Sequence, residues 1–88
     1  MIYQVRWSQA AINELTTAWM NADQEKRRAI TAAAHQIDLI LQHDPANKCE
    51  SRPQDQRVFM HAPVGVLFEV QERLGVAWIN QAWVFRTH

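Results

Sequence analysis

The sequence predicts an α+β domain in the order β-α-α-β-β-β, a helical hairpin packed on a small, mainly antiparallel sheet. Three observations carry this prediction. The opening residues alternate with a period of two. Two segments then repeat at helical spacing. The remaining stretch holds three apolar segments rich in β-formers and parted by turn residues. A chain of 88 residues has room for one such domain, residues 1–88, with one modest core.

Each element has its own reason. Ile2 to Trp7 alternates, with Tyr3, Val5 and Trp7 on one side and Gln4 and Arg6 on the other, so it reads as a short strand. Ser8 is a good N-cap for a helix from Gln9 to about Ala22, whose stripe is Ala11, Leu15, Ala18 and Ala22, widened by Ile12 and Trp19. Asp23 suits the N-cap of a second helix, with Glu25 in its first turn, where a carboxylate favours the dipole. That helix carries Ile30, Ala33, Ile37 and Ile40, with Ala34 and Leu41 alongside, and puts Arg27, Arg28, Gln36 and Asp38 on its outer face. It stops before Asp44-Pro45, because a residue preceding proline is pushed out of the helical region.

Residues 46–56 are polar, contain Pro53 and lack periodicity, so they read as a loop. Strands are expected over Arg57–His61, Val64–Gln71 and Val76–Phe85, with turns at Pro63 and Leu74-Gly75. The last strand is apolar on both sides. Alternation puts Trp78, Ala82 and Val84 on one and Ile79, Trp83 and Phe85 on the other. Such a strand is central or covered by a partner.

Composition excludes several classes. Apolar residues make up 48% and charged residues 20%, which argues against disorder. Nine basic residues balance nine acidic ones, so no net field attracts nucleic acid and any phosphate site must be local. Cys49 is the only cysteine, which excludes an intrachain disulfide and a multi-cysteine zinc site. The four histidines lack ligand spacing, so neither a metal nor a cofactor is expected. Nothing reads as a signal peptide or a membrane span, and a cytoplasmic protein is expected.

Several short stretches together resemble the bacterial RelE/ParE toxin superfamily. They are Tyr3-Gln4-Val5-Arg6-Trp7-Ser8 before a helix, Ile37-Asp38 through Asp44-Pro45, Glu50-Ser51-Arg52, Arg57-Val58, Pro63-Val64-Gly65-Val66-Leu67-Phe68-Glu69-Val70 and Ala82-Trp83-Val84-Phe85-Arg86. The resemblance covers nearly the whole chain. It implies the toxin of a type II toxin–antitoxin pair, neutralised by a cognate antitoxin in a hetero-oligomer. One branch, RelE and YoeB, cleaves mRNA, usually in the ribosome; the ParE branch poisons DNA gyrase. A degenerate member that keeps the fold and the antitoxin contact without toxicity is a third possibility.

The branches differ in chemistry. RNA cleavage by 2′-hydroxyl attack needs a base, an acid and cations for the phosphorane charge. The lysines of the RelE pattern are missing from Arg57-Val58-Phe59-Met60-His61, and the family's third-strand arginine falls at or close to Gly65. The YoeB pattern pairs a glutamate base in the loop after the helices with a histidine acid near the C-terminus. Glu50 and His88 are similar to that pair, and Arg52, Arg57 and Arg86 are the candidate phosphate ligands. The plainer readings are a Glu50 paired with Arg52 or Arg57, a frayed terminal His88, a solvated Arg27 and Arg28, and a core built on Trp7, Trp19, Phe68 and Trp78. Trp83 and Phe85 are the candidate antitoxin anchors, since so small a chain leaves one apolar face to be covered.

Overall fold

The computed structural model describes residues 2–43, 45, 50–51 and 56–85, with residues 50–51 described in their backbone. The element order is β1 (Gln4–Trp7), α1 (Gln9–Met20), α2 (Gln24–Leu41), β2 (Glu50–Ser51), β3 (Gln56–His61), β4 (Val64–Gln71) and β5 (Val76–Val84). The strands form one five-stranded sheet in the order β1-β5-β4-β3-β2. β1 runs parallel to β5, and the other pairs are antiparallel.

Local chemistry sets the helix starts as expected. The Ser8 hydroxyl accepts from the Ala11 N–H at 3.1 Å, and the Asp23 carboxylate accepts from the Lys26 N–H at 2.8 Å. Each cap satisfies a donor that the first helical turn leaves open. The β4–β5 turn closes on Gly75, whose φ of 64° lies in the left-handed region.

The core lies on one side of the sheet. Val64, Val66 and Phe68 of β4 and Ala77, Ile79 and Ala82 of β5 are buried against Ala11 of α1 and Ile30, Ala33, Ile37 and Leu41 of α2. Val5 and Trp7 pack at its edge. The Trp7 indole N–H donates to Asp38 Oδ1 at 3.2 Å, tying β1 to α2.

Four sequence expectations are corrected. Residues 46–56 are not all loop: Glu50–Ser51 pairs with Val58 and Arg57 as a two-residue strand, too short to leave any periodicity, and β3 already begins at Gln56. The first strand starts at Gln4; Ile2 makes only an isolated bridge to His43 and is 69% exposed. Trp19 is 39% exposed and does not belong to the core. Arg27 is not simply solvated. Its Nε donates to the Trp19 carbonyl at 2.9 Å and its Nη2 to the Met20 carbonyl at 3.0 Å, and its guanidinium lies 4.5 Å from the centre of the Trp19 ring.

A fifth correction matters most for the functional surface. β4 and β5 shift register between Leu67 and Phe68: Leu67 faces Gln81 but Phe68 faces Ile79, so Asn80 is an extra residue. This bulge re-phases β5. Ile79 therefore shares the helix side with Ala82 and Val84, whereas Trp78 shares the other side with Trp83. The Ser8 backbone N–H and hydroxyl fasten the bulge, donating to the carbonyls of Ile79 at 2.9 Å and Asn80 at 3.1 Å.

Arg27 closes the C-terminal end of α1, where the last carbonyls lack helical partners. Arg27→Ala is expected to lower stability by about 1 kcal/mol, the discounted value of exposed charge-assisted bonds. Arg27→Lys should recover less than half of that, since a point charge cannot reproduce the fork. Thermal denaturation of both variants checks this; equal melting temperatures for all three proteins would refute it.

Candidate partner-binding face

The side of the sheet away from the helices carries alternate residues of β1, β3, β4 and β5. On β4 these are Gly65, Leu67, Glu69 and Gln71; on β5, Val76, Trp78, Gln81 and Trp83; on β3, Gln56, Val58 and Met60; on β1, Gln4 and Arg6. Two cross-strand rows define its character. In one, Arg6, Trp78 and Glu69 lie side by side on β1, β5 and β4. In the other, Trp83, Gly65 and Met60 are in register on β5, β4 and β3.

The second row is close-packed around a missing side chain. A Cβ at Gly65 would lie 2.5 Å from Trp83 Cε2 and 2.7 Å from Met60 Sδ. The Trp83 indole and the Met60 thioether therefore both occupy the space over Gly65. Gly65 is buried beneath it, Trp83 is half-buried and Met60 is 50% exposed. The result is an aromatic–thioether platform, with half-buried Val58 and Leu67 beside it.

Charge is sparse on this face. Among the residues whose side chains are described, Arg6 and Glu69 are its ionisable groups. They stand two strands apart, about 9–10 Å by strand spacing, with Trp78 between them. Among the described residues no group of three His, Cys, Asp or Glu side chains is placed to hold a metal ion.

The candidate site residues from sequence are distributed unevenly. The Glu50 backbone pairs with Val58, one step from the Ser51–Arg57 pair. Arg57 faces Phe68 in register and so lies on the helix side with Phe59 and His61, away from Trp83. It is half-buried there. Arg52, Arg86 and His88 lie outside the described residues. Phe85 follows β5, is half-buried, and donates its backbone N–H to the Pro63 carbonyl at 2.9 Å. Sequence reasoning missed the pairing of Trp78 with Trp83 on one face. The signal that could have exposed it was the doubled apolarity of β5, which a single alternation cannot satisfy.

No protein-family model and no curated protein matches this sequence. Solved structures do. One match is the RelBE2 toxin–antitoxin complex from Mycobacterium tuberculosis, with a TM-score of 0.76 and 14% identity over 96% of this chain and 92% of that one. A chromosomal ParDE toxin–antitoxin system from P. aeruginosa matches with a TM-score of 0.71 and 19% identity, covering 97% of this chain and 98% of that one. A mutant of the E. coli toxin RelE in the free state matches with a TM-score of 0.69 and 10% identity, covering 96% of this chain and 84% of that one. The fold is that of the RelE/ParE toxins. The RelE/ParE-like architecture expected from the sequence is therefore borne out, helical hairpin and mainly antiparallel sheet included.

The contact between Gly65 and Trp83 generates a test. Gly65→Ala adds one methyl where the indole already lies and is expected to destabilise the fold by roughly 1–3 kcal/mol. Trp83→Ala should remove most of that penalty, so the double variant will be more stable than additivity predicts. A thermodynamic cycle from urea melts measures the coupling, and additive effects would mean that the indole does not lie over Gly65.

Proposed function

We propose that this chain is the toxin of a type II toxin–antitoxin module, that a cognate antitoxin neutralises it, and that it acts in the cytoplasm by binding a macromolecular target and not by cutting RNA. The observation that carries this reading is the row of Trp83, Gly65 and Met60 on the uncovered sheet face. Tryptophan and methionine are enriched in protein-binding surfaces, where lysine, glutamate and aspartate are depleted. The neighbours in fold are toxins named with their antitoxins, which supports an antitoxin as partner.

The chemistry of the face supports binding over cleavage. General acid–base cleavage needs two proton-transferring groups within reach of one phosphodiester, together with cations for its transition-state charge. On the described part of this face Arg6 and Glu69 are held apart by Trp78. Arg57, the described member of the candidate phosphate set, lies on the helix side. DNA gyrase is the target that the ParE resemblance names. The rival reading keeps Glu50 as base, His88 as acid, and Arg52, Arg57 and Arg86 on the phosphate.

Inducible expression, alone and with the antitoxin, tests the proposal. Growth arrest relieved by the antitoxin is expected, with a supercoiling defect and intact mRNA. Trp83→Ala should weaken the antitoxin complex by about 2–4 kcal/mol, the range of an aromatic anchor, with circular dichroism confirming folding. Glu50→Gln and His88→Ala should leave toxicity unchanged. RNA cleavage that either variant lowers by about 10²–10⁴-fold would overturn the binding reading in favour of acid–base catalysis.

A further inference from the structure

Met60 is the residue of β3 most open to solvent. It is 50% exposed, while the other residues of that strand are half-buried. Its sulfur nevertheless has a packed side. The point where a Gly65 Cβ would stand is 2.7 Å from Met60 Sδ, 2.5 Å from Trp83 Cε2 and 2.6 Å from Trp83 Nε1. The sulfur is therefore within about 5 Å of the indole, the range of a favourable sulfur–aromatic contact. One cross-strand row thus holds a thioether that solvent reaches and, against it, an indole N–H that responds to whatever the sulfur becomes.

The chain has three methionines, Met1, Met20 and Met60. Met1 lies outside the described residues. Met20 ends α1 in the helical layer and is 65% exposed, so a polar group added to it meets water. A polar group added to Met60 arrives in different surroundings. Beneath it Gly65 is buried, and the space over that glycine is already filled by the sulfur and the indole. Beside it half-buried Val58 and Leu67 have no hydrogen-bonding side-chain group. Within the row of Met60, Gly65 and Trp83 the side-chain donor is the indole N–H.

We propose that Met60 is a reversible oxidation site, at which a peroxide converts the thioether to the sulfoxide and so makes the apolar platform beside Trp83 polar. A lone pair of the sulfur attacks one peroxide oxygen, and the S–O bond forms as the O–O bond breaks. The departing hydroxide takes the proton of the new S–OH group and leaves as water. The sulfur gives up two electrons and the peroxide gains them. A methionine sulfoxide reductase reverses the step with two thiols, which become a disulfide while the oxygen leaves as water. The sulfoxide places a polar, chiral group where a flexible apolar chain stood. Its oxygen either accepts from the indole N–H or turns to water and draws the sulfur off the ring. Both outcomes change the surroundings of that N–H. The inference rests on the Met60–Gly65–Trp83 row alone and holds whatever partner the face takes.

Hydrogen peroxide applied to the whole chain tests it. Cys49→Ser is carried throughout, so that thioethers are the sulfur groups available. Peptide mass mapping is expected to show Met60 gaining one oxygen at a rate comparable to that of Met20, the exposed internal reference. A proton–nitrogen correlation spectrum resolves the indole N–H signals of the four tryptophans, and Trp83→Phe assigns the one that belongs to Trp83. That signal should move on oxidation and return when methionine sulfoxide reductases for both sulfoxide epimers are added with a dithiol. It should stay fixed in Met60→Leu, a volume-conserving swap that removes the sulfur, with circular dichroism confirming the fold. Met20→Leu should leave the movement intact. A Met60 that stays reduced while Met20 is fully converted would overturn the proposal. So would an indole signal that moves equally in Met60→Leu, or one that stays in place when Met60 is converted. A Met60 sulfoxide that the reductases leave untouched would overturn it as a reversible site.

Discussion

A single helical layer cannot cover both faces of a five-stranded sheet, and the rest of this structure follows from that constraint. β4 shows it most plainly. Val64, Val66 and Phe68 are wholly buried under the helices, while Leu67 and Glu69, which alternate with them, are half-buried on the uncovered side. Burial of each large core side chain contributes about 1.5–3 kcal/mol, so stability is concentrated in the layer between sheet and hairpin. Among the described residues the other face is shielded by its own side chains. Trp83 does this by placing its indole over Gly65, which makes the close approach possible by presenting no Cβ.

The bulge at Asn80 decides which residues meet which layer. Without the extra residue, strict alternation would carry Ile79 in register with Trp83 and Phe85 and force the indole under α1. Ala11 of α1 is wholly buried there, and so small a contact leaves no room for an indole. Overpacking of that kind costs roughly 1–3 kcal/mol or more. The bulge instead returns Ala82 and Val84 to the core and turns Trp83 outward beside Trp78. Ser8 couples this to the helix start: its oxygen caps α1 while its hydroxyl proton and backbone N–H hold the carbonyls of Asn80 and Ile79. One serine therefore fixes the entry of a helix and the phase of a strand.

Much of this was legible in the residues because it is local. Ser8 and Asp23 cap helices through donors three residues ahead, and the limits of β4 coincide with its apolar alternation and flanking turn residues. What was not legible depends on a second segment. The bulge is a property of β4 and β5 paired, not of either alone. β2 exists only because β3 offers it an edge. Arg27 reaches back seven and eight residues to the end of α1, beyond the range of helical periodicity. The anchor role assigned to Trp83 rested on the two apolar sides of β5, but alternation alone sent Trp78 to the wrong one. Gly65 read as a vacant arginine position; its meaning appears only when the indole of its cross-strand neighbour is placed over it.

Charge neutrality bears on what this sheet face can recognise. With nine residues of each sign, no long-range field draws a polyanion to the molecule, so recognition rests on short-range contacts. The sheet face offers an aromatic–thioether platform on which, among the residues whose side chains are described, Arg6 and Glu69 are separated by a tryptophan, a surface that reads apolar shape. α1 packs chiefly on β5 while α2 packs on β3 and β4. The apolar sheet face is thus a consequence of spreading a short helical pair over a sheet wider than it can seal.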